Sequence, residues 1–349
     1  MKAQAITTYG QPLEAVEKPT RQPEGAEVVV NVKHCGVCHS DVHIHDGYFS
    51  LGNDQKLDVT GARPLPFVLG HEIVGEVAAK GPDATTVEIG QKVVVFPWIG
   101  CGECPTCLRG DEHLCNQGFV LGVGKDGGYA DECFVPHERY CLDYEGIPAG
   151  QAAAFACSGL TAYSAIKRLG DLTDSDDVVI VGAGGVGMMG IAFFKALYGR
   201  GPIVVDINDA TLEAAKAAGA KAVYNSTDPN ALKELMAATN GGAFGAIDFV
   251  GAEASFAFAN GCLRKGGHVV VVGLFGGAMG MPIPMLPMRA ISISGAFVGS
   301  LQEFKEVIAL GQKGVIDAIP MDHRPIDQAS QSLDDLRNGN VVGRVILDV

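Results

Sequence analysis

The chain has 349 residues, a formal net charge of −14, 47% hydrophobic residues and 19% charged residues. This is ordinary globular composition at a length that one core rarely fills, so two domains are expected. The acidic balance argues against nucleic acid or an anionic membrane as partner, and no run of about 18 uncharged apolar residues offers a membrane span.

Met1 to Gly10 lacks the charged-then-apolar layout of a signal peptide, which points to the cytoplasm. In a reducing compartment the ten cysteines signal metal or catalysis more than disulfides. The first 33 residues alternate as strands do, most clearly at Val28-Val29-Val30-Asn31-Val32. Cys35-Gly36-Val37-Cys38-His39-Ser40-Asp41-Val42-His43 follows, dense in groups that bind metal or move protons. Cys35 and Cys38 have the gap of a zinc knuckle, but with the next cysteine far off this pair alone decides little. Residues 46–66 read as a polar functional loop. Gly70-His71-Glu72 opens a glycine-spaced segment with Gly75 and Gly81, in which a single histidine is more often structural than a ligand. Lys92 to Phe96 is a strand that leads to Trp98, the sole tryptophan, placed either to pack or to wall a pocket.

Cys101, Cys104, Cys107 and Cys115 are the strongest metal signal. Two-residue gaps let a tight loop present three thiolates to one ion, and the fourth closes a tetrahedral shell. With no open position, such a zinc is structural.

Gly127 to Pro136 is strand-like and closes the β-rich section, and Gln151 to Arg168 reads as a helix carrying Cys157 and Thr161. Val178-Val179-Ile180-Val181 is an unbroken apolar run, as in a strand buried on both faces. Gly182-Ala183-Gly184-Gly185-Val186-Gly187 comes next, then an apolar helix from Met188 to Tyr198 and a second strand ending in Asp206. Gly182 permits a tight turn, Gly184 lets backbone N–H groups approach a pyrophosphate, and Gly187 lets helix and strand pack closely. The helix N-terminus favours the diphosphate. The Asp206 carboxylate accepts from both adenosine ribose hydroxyls and repels a 2′-phosphate, so the expected cofactor is NAD rather than NADP.

Beyond Asp206 helices and strands alternate: 209–218, 221–223, 231–238, 246–250, 255–263 and 268–273. That pattern is a doubly wound parallel sheet. Met279 to Met288 holds three prolines and four methionines and excludes regular helix or central strand. Residues 291–297 read as strand, 301–312 as helix, and the tail closes with Gly343 to Leu347.

From Val37 to Arg344 the chain resembles the zinc-dependent medium-chain alcohol dehydrogenases, most of all their tetrameric bacterial and archaeal branch. The resemblance rests on Gly70-His71-Glu72 with Gly75 and Gly81, on Cys38-His39-Ser40-Asp41, on the four-cysteine loop and on the glycine turn. It implies a GroES-like β-rich catalytic domain over 1–152, a Rossmann NAD-binding domain over 153–292, and a return to the catalytic domain over 293–349. It implies two zincs per subunit, the catalytic one held by Cys38, His71 and Cys157, with Glu72 behind the metal. Asp41 matches the carboxylate that orients His71, Ser40 the hydroxyl that meets the substrate oxygen, and His43 the base at the solvent end of the proton relay. Thr161, Leu274 and Phe297 match positions around the nicotinamide, Arg344 one that reaches the pyrophosphate, and Gly185 and Val186 lie in the turn that holds it. His39 stands where an arginine often meets the pyrophosphate. Phe49, Trp98, Phe119 and Leu274 make an apolar pocket suited to medium or bulky alcohols.

The activity implied is reversible oxidation of a primary or secondary alcohol to an aldehyde or ketone, by a homo-oligomer that is a tetramer or a dimer. A polyol or formaldehyde dehydrogenase is the near alternative, although polyol enzymes commonly carry a glutamate where Cys157 stands. A zinc-free quinone or enoyl reductase lacks the Cys38, His71 and Cys157 ligands, and a non-catalytic NADH-binding scaffold has no need of Ser40 and His43.

Overall fold

The computed structural model describes residues 1–349, the side chain of Ala62 excepted. Two large sheets divide the chain, beside three smaller ones. One is a mixed sheet of seven strands, in the order Cys141–Asp143, Lys92–Val95, Glu72–Lys80, Val28–Val37, Arg344–Asp348 and Met321–Pro325, with Glu132–Val135 pairing onto the start of Val28–Val37. The last two strands come from the end of the chain, so the β-rich half is built from both sequence ends. Val345 lies opposite Val37 and Asp348 opposite His34, which packs the tail against the strand that leads into Cys38.

The other sheet has six parallel strands in the order Ala222–Asn225, Ile203–Asp206, Val178–Val181, Ala243–Asp248, Leu263–Val271 and Ser292–Gly295. In chain order this is 3-2-1-4-5-6, the doubly wound arrangement in which ligands bind at the carboxyl ends of the strands where the winding reverses. The glycine turn leaves Val178–Val181 at that point. All four residues of this strand are buried, as helices on both faces require. The Ser292–Gly295 strand still belongs to this sheet.

A helical rod joins the halves. The expected regular helix over 151–168 is instead Ala149–Ala154 and Leu160–Lys167, with a π-helical turn at Phe155–Gly159 between them. The inserted turn holds Cys157; π-turns concentrate at functional sites because they re-aim side chains without ending a helix. Phe155 and Tyr163 on this rod meet Phe193 of the helix Gly185–Tyr198 at ring separations of 5.6 and 5.7 Å. Burying each such ring contributes roughly 1.5–3 kcal/mol, so the rod is fixed against the nucleotide-side helix.

Two loop expectations need correction. Residues 46–66 contain a hairpin, Tyr48–Gly52 paired with Gln55–Asp58, whose turn residues Asn53 and Asp54 take φ of +51° and +60°. Asn and Asp tolerate that left-handed backbone, and the short alternation flanking them was masked by polar residues. Residues 285–289 form one short helix despite Pro287, since the N–H groups of a first turn have no intrahelical acceptor to lose. Among the described residues no helix is long and apolar enough to cross a membrane.

Candidate active site and metal centres

The fold gathers residues that are far apart in sequence. Cys38 caps the N-terminus of the helix His39–Asp46, His71 and Glu72 stand where Glu72–Lys80 begins, and Cys157 comes from the π-turn. Their ligand atoms lie within 4.8 Å of one another, and all four residues are buried. The Cys38 and Cys157 sulfurs are 4.0 Å apart. Two thiolates about 2.3 Å from a tetrahedral zinc stand about 3.8 Å apart, so the pair already has the spacing of a ligand edge.

Asp41 holds this cluster together. Its Oδ2 accepts from the Cys38 amide at 2.9 Å and from the Tyr129 hydroxyl at 3.3 Å, and its Oδ1 faces His71 Nδ1 at 3.2 Å. A carboxylate only accepts, so Nδ1 carries a proton and Nε2 is the nitrogen left to ligate a metal. That Nε2 is buried and has no partner, as is Oε2 of Glu72. Orphaned buried groups of this kind are costly unless something binds them, and with two sulfurs beside them the donor set fits zinc. The hydrogen bond from Cys157, with help from His71 and Arg344 against burial, holds the Cys38 thiol well below its usual range, whereas Cys157 is pushed well up. Burial lowers the His71 pKa, but the charge and hydrogen bond of Asp41 prevail and raise it well above the ordinary histidine value. Burial lifts Glu72 to about 7 against the pull of Arg344.

The four-cysteine loop is equally formed. Cys101 and Cys107, Cys104 and Cys107, and Cys104 and Cys115 have sulfur separations of 3.8, 3.5 and 3.8 Å, the edges of a tetrahedral thiolate shell. No fifth donor joins them among the described residues, so this site closes on the metal. Cys35, which shares a two-residue gap with Cys38, takes no part; it is fully buried, and burial keeps it a thiol. Cys133, Cys141 and Cys262 are buried as well, and all ten cysteines are free.

At the glycine turn Gly182 has φ +89°, and a Cβ on Gly187 would stand 1.9 Å from the Gly182 carbonyl oxygen, so only glycine permits this approach of helix to strand. A Cβ on Gly184 would meet nothing within 4 Å, which leaves open space in front of the uncapped amides of the helix Gly185–Tyr198. That space and those amides fit a diphosphate. Asp206 closes the turn: its Oδ2 accepts from the Ala183 amide at 2.7 Å and its Oδ1 from the amides of Ile207 and Asn208 at 2.7 and 3.0 Å.

Between the metal cluster and the turn lies Arg344. It is buried, its Nη2 donates to Glu72 Oε1, and its side chain occupies the space that a Cβ on Gly185 would need. Nothing in the sequence pairs it with Glu72, 272 positions away. Tyr129 is a second contributor without a sequence signal.

Of the expected pocket residues, Trp98 stands directly against the cluster. Trp98 is buried, its Nε1 donates to the Ala156 carbonyl at 3.2 Å, and its ring lies edge-on to His71 at 5.7 Å and to Phe297 at 5.6 Å. Phe49 meets the His43 ring at 4.9 Å, while Phe119 pairs opposite Ile99 beside Trp98. Leu274 and Phe297 are half exposed, and Thr161 is buried three residues beyond Ser158 on the rod. Ser40 is half-buried on the first turn after Cys38. His43 has its Nε2 buried without a partner, and burial lowers its pKa. His39 stands against Phe275 at 4.7 Å.

A zinc-ready cluster facing a dinucleotide turn defines a two-domain nicotinamide oxidoreductase. Comparison with known proteins agrees. Residues 24–146 match the alcohol dehydrogenase GroES-like domain and residues 185–313 the zinc-binding dehydrogenase domain. An NAD-dependent alcohol dehydrogenase of Sulfurisphaera tokodaii is 35% identical over 99% of both chains, and one of Saccharolobus solfataricus is 34% identical over 99% of both. The crystal structure of an alcohol dehydrogenase from Aeropyrum pernix superposes with a TM-score of 0.89 at 28% identity and covers 100% of both chains. The chain belongs to the zinc-dependent medium-chain alcohol dehydrogenases.

Proposed function

We propose that this chain is an NAD-dependent zinc alcohol dehydrogenase, which moves hydride reversibly between a primary or secondary alcohol and NAD. The observation that carries this reading is the convergence of Cys38, His71 and Cys157, with one orphaned imidazole nitrogen, next to a turn cut for a diphosphate. The polyol alternative is disfavoured by Cys157 at the third ligand position, and a zinc-free reductase or an inactive scaffold by the intact ligand set and relay.

Zinc at Cys38, His71 and Cys157 supplies Lewis acidity that lowers the pKa of an alcohol, and NAD supplies the hydride acceptor. The chain's own residues do the rest. Asp41 fixes the His71 tautomer, Ser40 Oγ takes the proton from the substrate hydroxyl, and His43 Nε2 accepts it at the end of the relay. Lowered by burial, His43 is neutral at physiological pH and ready to accept. Gly182, Gly184, Gly185, Val186 and Gly187 cradle the pyrophosphate beside Arg344, Asp206 takes the ribose, and Thr161, Leu274 and Phe297 border the nicotinamide. Trp98, Phe49 and Phe119 exclude water from the reacting centre and favour medium or bulky alcohols. The division into 1–152, 153–292 and 293–349 is supported by the two sheets at its first boundary, while the second falls later than 292, since Ser292–Gly295 pairs within the parallel sheet. The unpaired edge of Ser292–Gly295 and the exposed Met279, Ile283, Met285 and Met288 support a homo-oligomer.

The test is turnover of a series of primary and secondary alcohols with NAD, in the wild type and in Ser40→Ala. The wild type forms NADH, and the variant loses most turnover while it binds NADH nearly as before. Equal loss of both in the variant would sink the role of Ser40, and no turnover of any alcohol in the wild type would sink the activity.

A further inference from the structure

The chain carries a third constellation of metal-binding side chains, apart from both cysteine sites. His34, His323 and Asp348 stand on the neighbouring strands Val28–Val37, Met321–Pro325 and Arg344–Asp348. The register explains why they meet: Asp348 lies directly opposite His34 and opposite Pro325, two residues from His323 on the same side of the strand. Nδ1 of His34 is 2.7 Å and Nδ1 of His323 is 2.8 Å from one oxygen, Oδ1 of Asp348. The two rings are set edge to face with centroids 5.7 Å apart, so both Nδ1 atoms converge on the carboxylate. The other edge of His323 is turned towards the helix Ala149–Ala154, where a Cβ on Gly150 would stand 3.0 Å from Nε2.

We infer that His34, His323 and Asp348 form a binding site for a divalent late transition metal such as zinc. Two imidazoles and one carboxylate are the donor set such ions prefer over calcium or magnesium. Ligand atoms about 2.1 Å from an ion lie about 3.0 Å apart as octahedral neighbours and about 3.4 Å apart as tetrahedral ones, so the present spacing needs little change. The side chains have 27%, 44% and 46% of their surface exposed, in the order His34, His323, Asp348, which leaves them room to make that change. To bind the ion each imidazole presents its Nδ1 lone pair, with the ring proton on Nε2. Water fills the remaining positions.

The site staples rather than catalyses. Met321–Pro325 is the edge strand of its sheet, and His34 and Asp348 are 314 positions apart, so the ion ties the end of the chain to the strand that delivers Cys38. A ligand that binds only the folded state raises its unfolding temperature.

Wild type and His323→Ala are dialysed to equilibrium against micromolar zinc, and bound zinc is counted by elemental analysis alongside the unfolding temperature. The wild type retains one zinc per subunit more than the variant, and zinc raises the unfolding temperature of the wild type further than that of the variant, whose two cysteine sites respond to it as well. The reading is a difference, so whatever the two cysteine sites hold cancels. Asp348→Asn, which keeps an acceptor oxygen for both imidazoles, serves as the second variant and also loses the extra zinc. Equal zinc content in the wild type and a folded variant overturns the site.

Discussion

Arg344 donates to the Glu72 carboxylate where water does not reach, and the same side chain fills the space beside Gly185 of the glycine turn. One residue thus joins the metal cluster to the nucleotide turn. Taking away one partner of a buried pair costs roughly 3–5 kcal/mol, because the other charge is left uncompensated. Arg344→Met is therefore expected to lower the unfolding free energy by about that much and to weaken NADH binding. Adding Glu72→Gln should recover part of the stability, since no bare charge remains. A double-mutant cycle in urea measures this, and strictly additive losses would show that the two side chains do not act as a pair.

Asp41 accepts from the Cys38 amide and faces His71 Nδ1, so it would support a metal held by those two residues. Removing such a supporting partner typically weakens metal binding roughly 10- to 100-fold. Asp41→Asn should show that loss at the Cys38 site, with the four-cysteine zinc unaffected. Competition with a calibrated chelator reads the affinity, and an unchanged value would mean that packing alone orients His71.

Much of the fold and of the site is legible in the sequence, and the exceptions have physical reasons. The strand, glycine turn, helix and acid from Val178 to Asp206 speak through local sequence, because each step is set by neighbouring residues. The Cys101 to Cys115 loop does so for the same reason. Cys38, His71 and Cys157 come from three separate elements, and only resemblance to a family joined them. The pairing of Arg344 with Glu72 and of His34 with Asp348 depends on strand register across the length of the chain. No local pattern encodes that register. The π-turn at Cys157 was hidden because Ala149 to Lys167 has the composition of an uninterrupted helix.

Cys104 is the thiolate around which the structural site forms. The Cys107 amide donates to its sulfur at 3.5 Å and pulls its pKa down to about 6. Cys104→Ser should lose one zinc per subunit and loosen residues 101–115, while the zinc at Cys38 stays. Elemental analysis and proteolysis of the loop check both halves. Retention of full zinc content would mean that three thiolates are enough.

Asp206 is expected to set the cofactor choice. Hydrogen bonds to a charged acceptor contribute about 1.5–3 kcal/mol against about 0.5–1.5 kcal/mol for neutral ones, a gap worth about tenfold in affinity. Asp206→Asn keeps an acceptor for the Ile207 and Asn208 amides but removes the charge. It should bind NAD about tenfold more weakly and admit NADP, measured as the ratio of kcat/KM for the two cofactors. An unchanged ratio would place the discrimination elsewhere.

His43 gives the pH dependence. Burial lowers its pKa in the folded protein below the usual 6.5, because the imidazolium is poorly solvated beside Phe49. In the window between the lowered value and 6.5 the unfolded chain binds more protons than the folded one, so stability rises with pH there and falls on acidification. With the neutral ring as the proposed base, kcat/KM for alcohol oxidation should also fall on acidification through a limb belonging to His43, set at its lowered folded pKa and so on the acid side of the usual histidine value. His43→Asn should flatten that limb, lower the rate above it, and be relatively less sensitive to acid in thermal unfolding. A pH–rate profile of the variant that keeps the wild-type limb would assign the titration to another group.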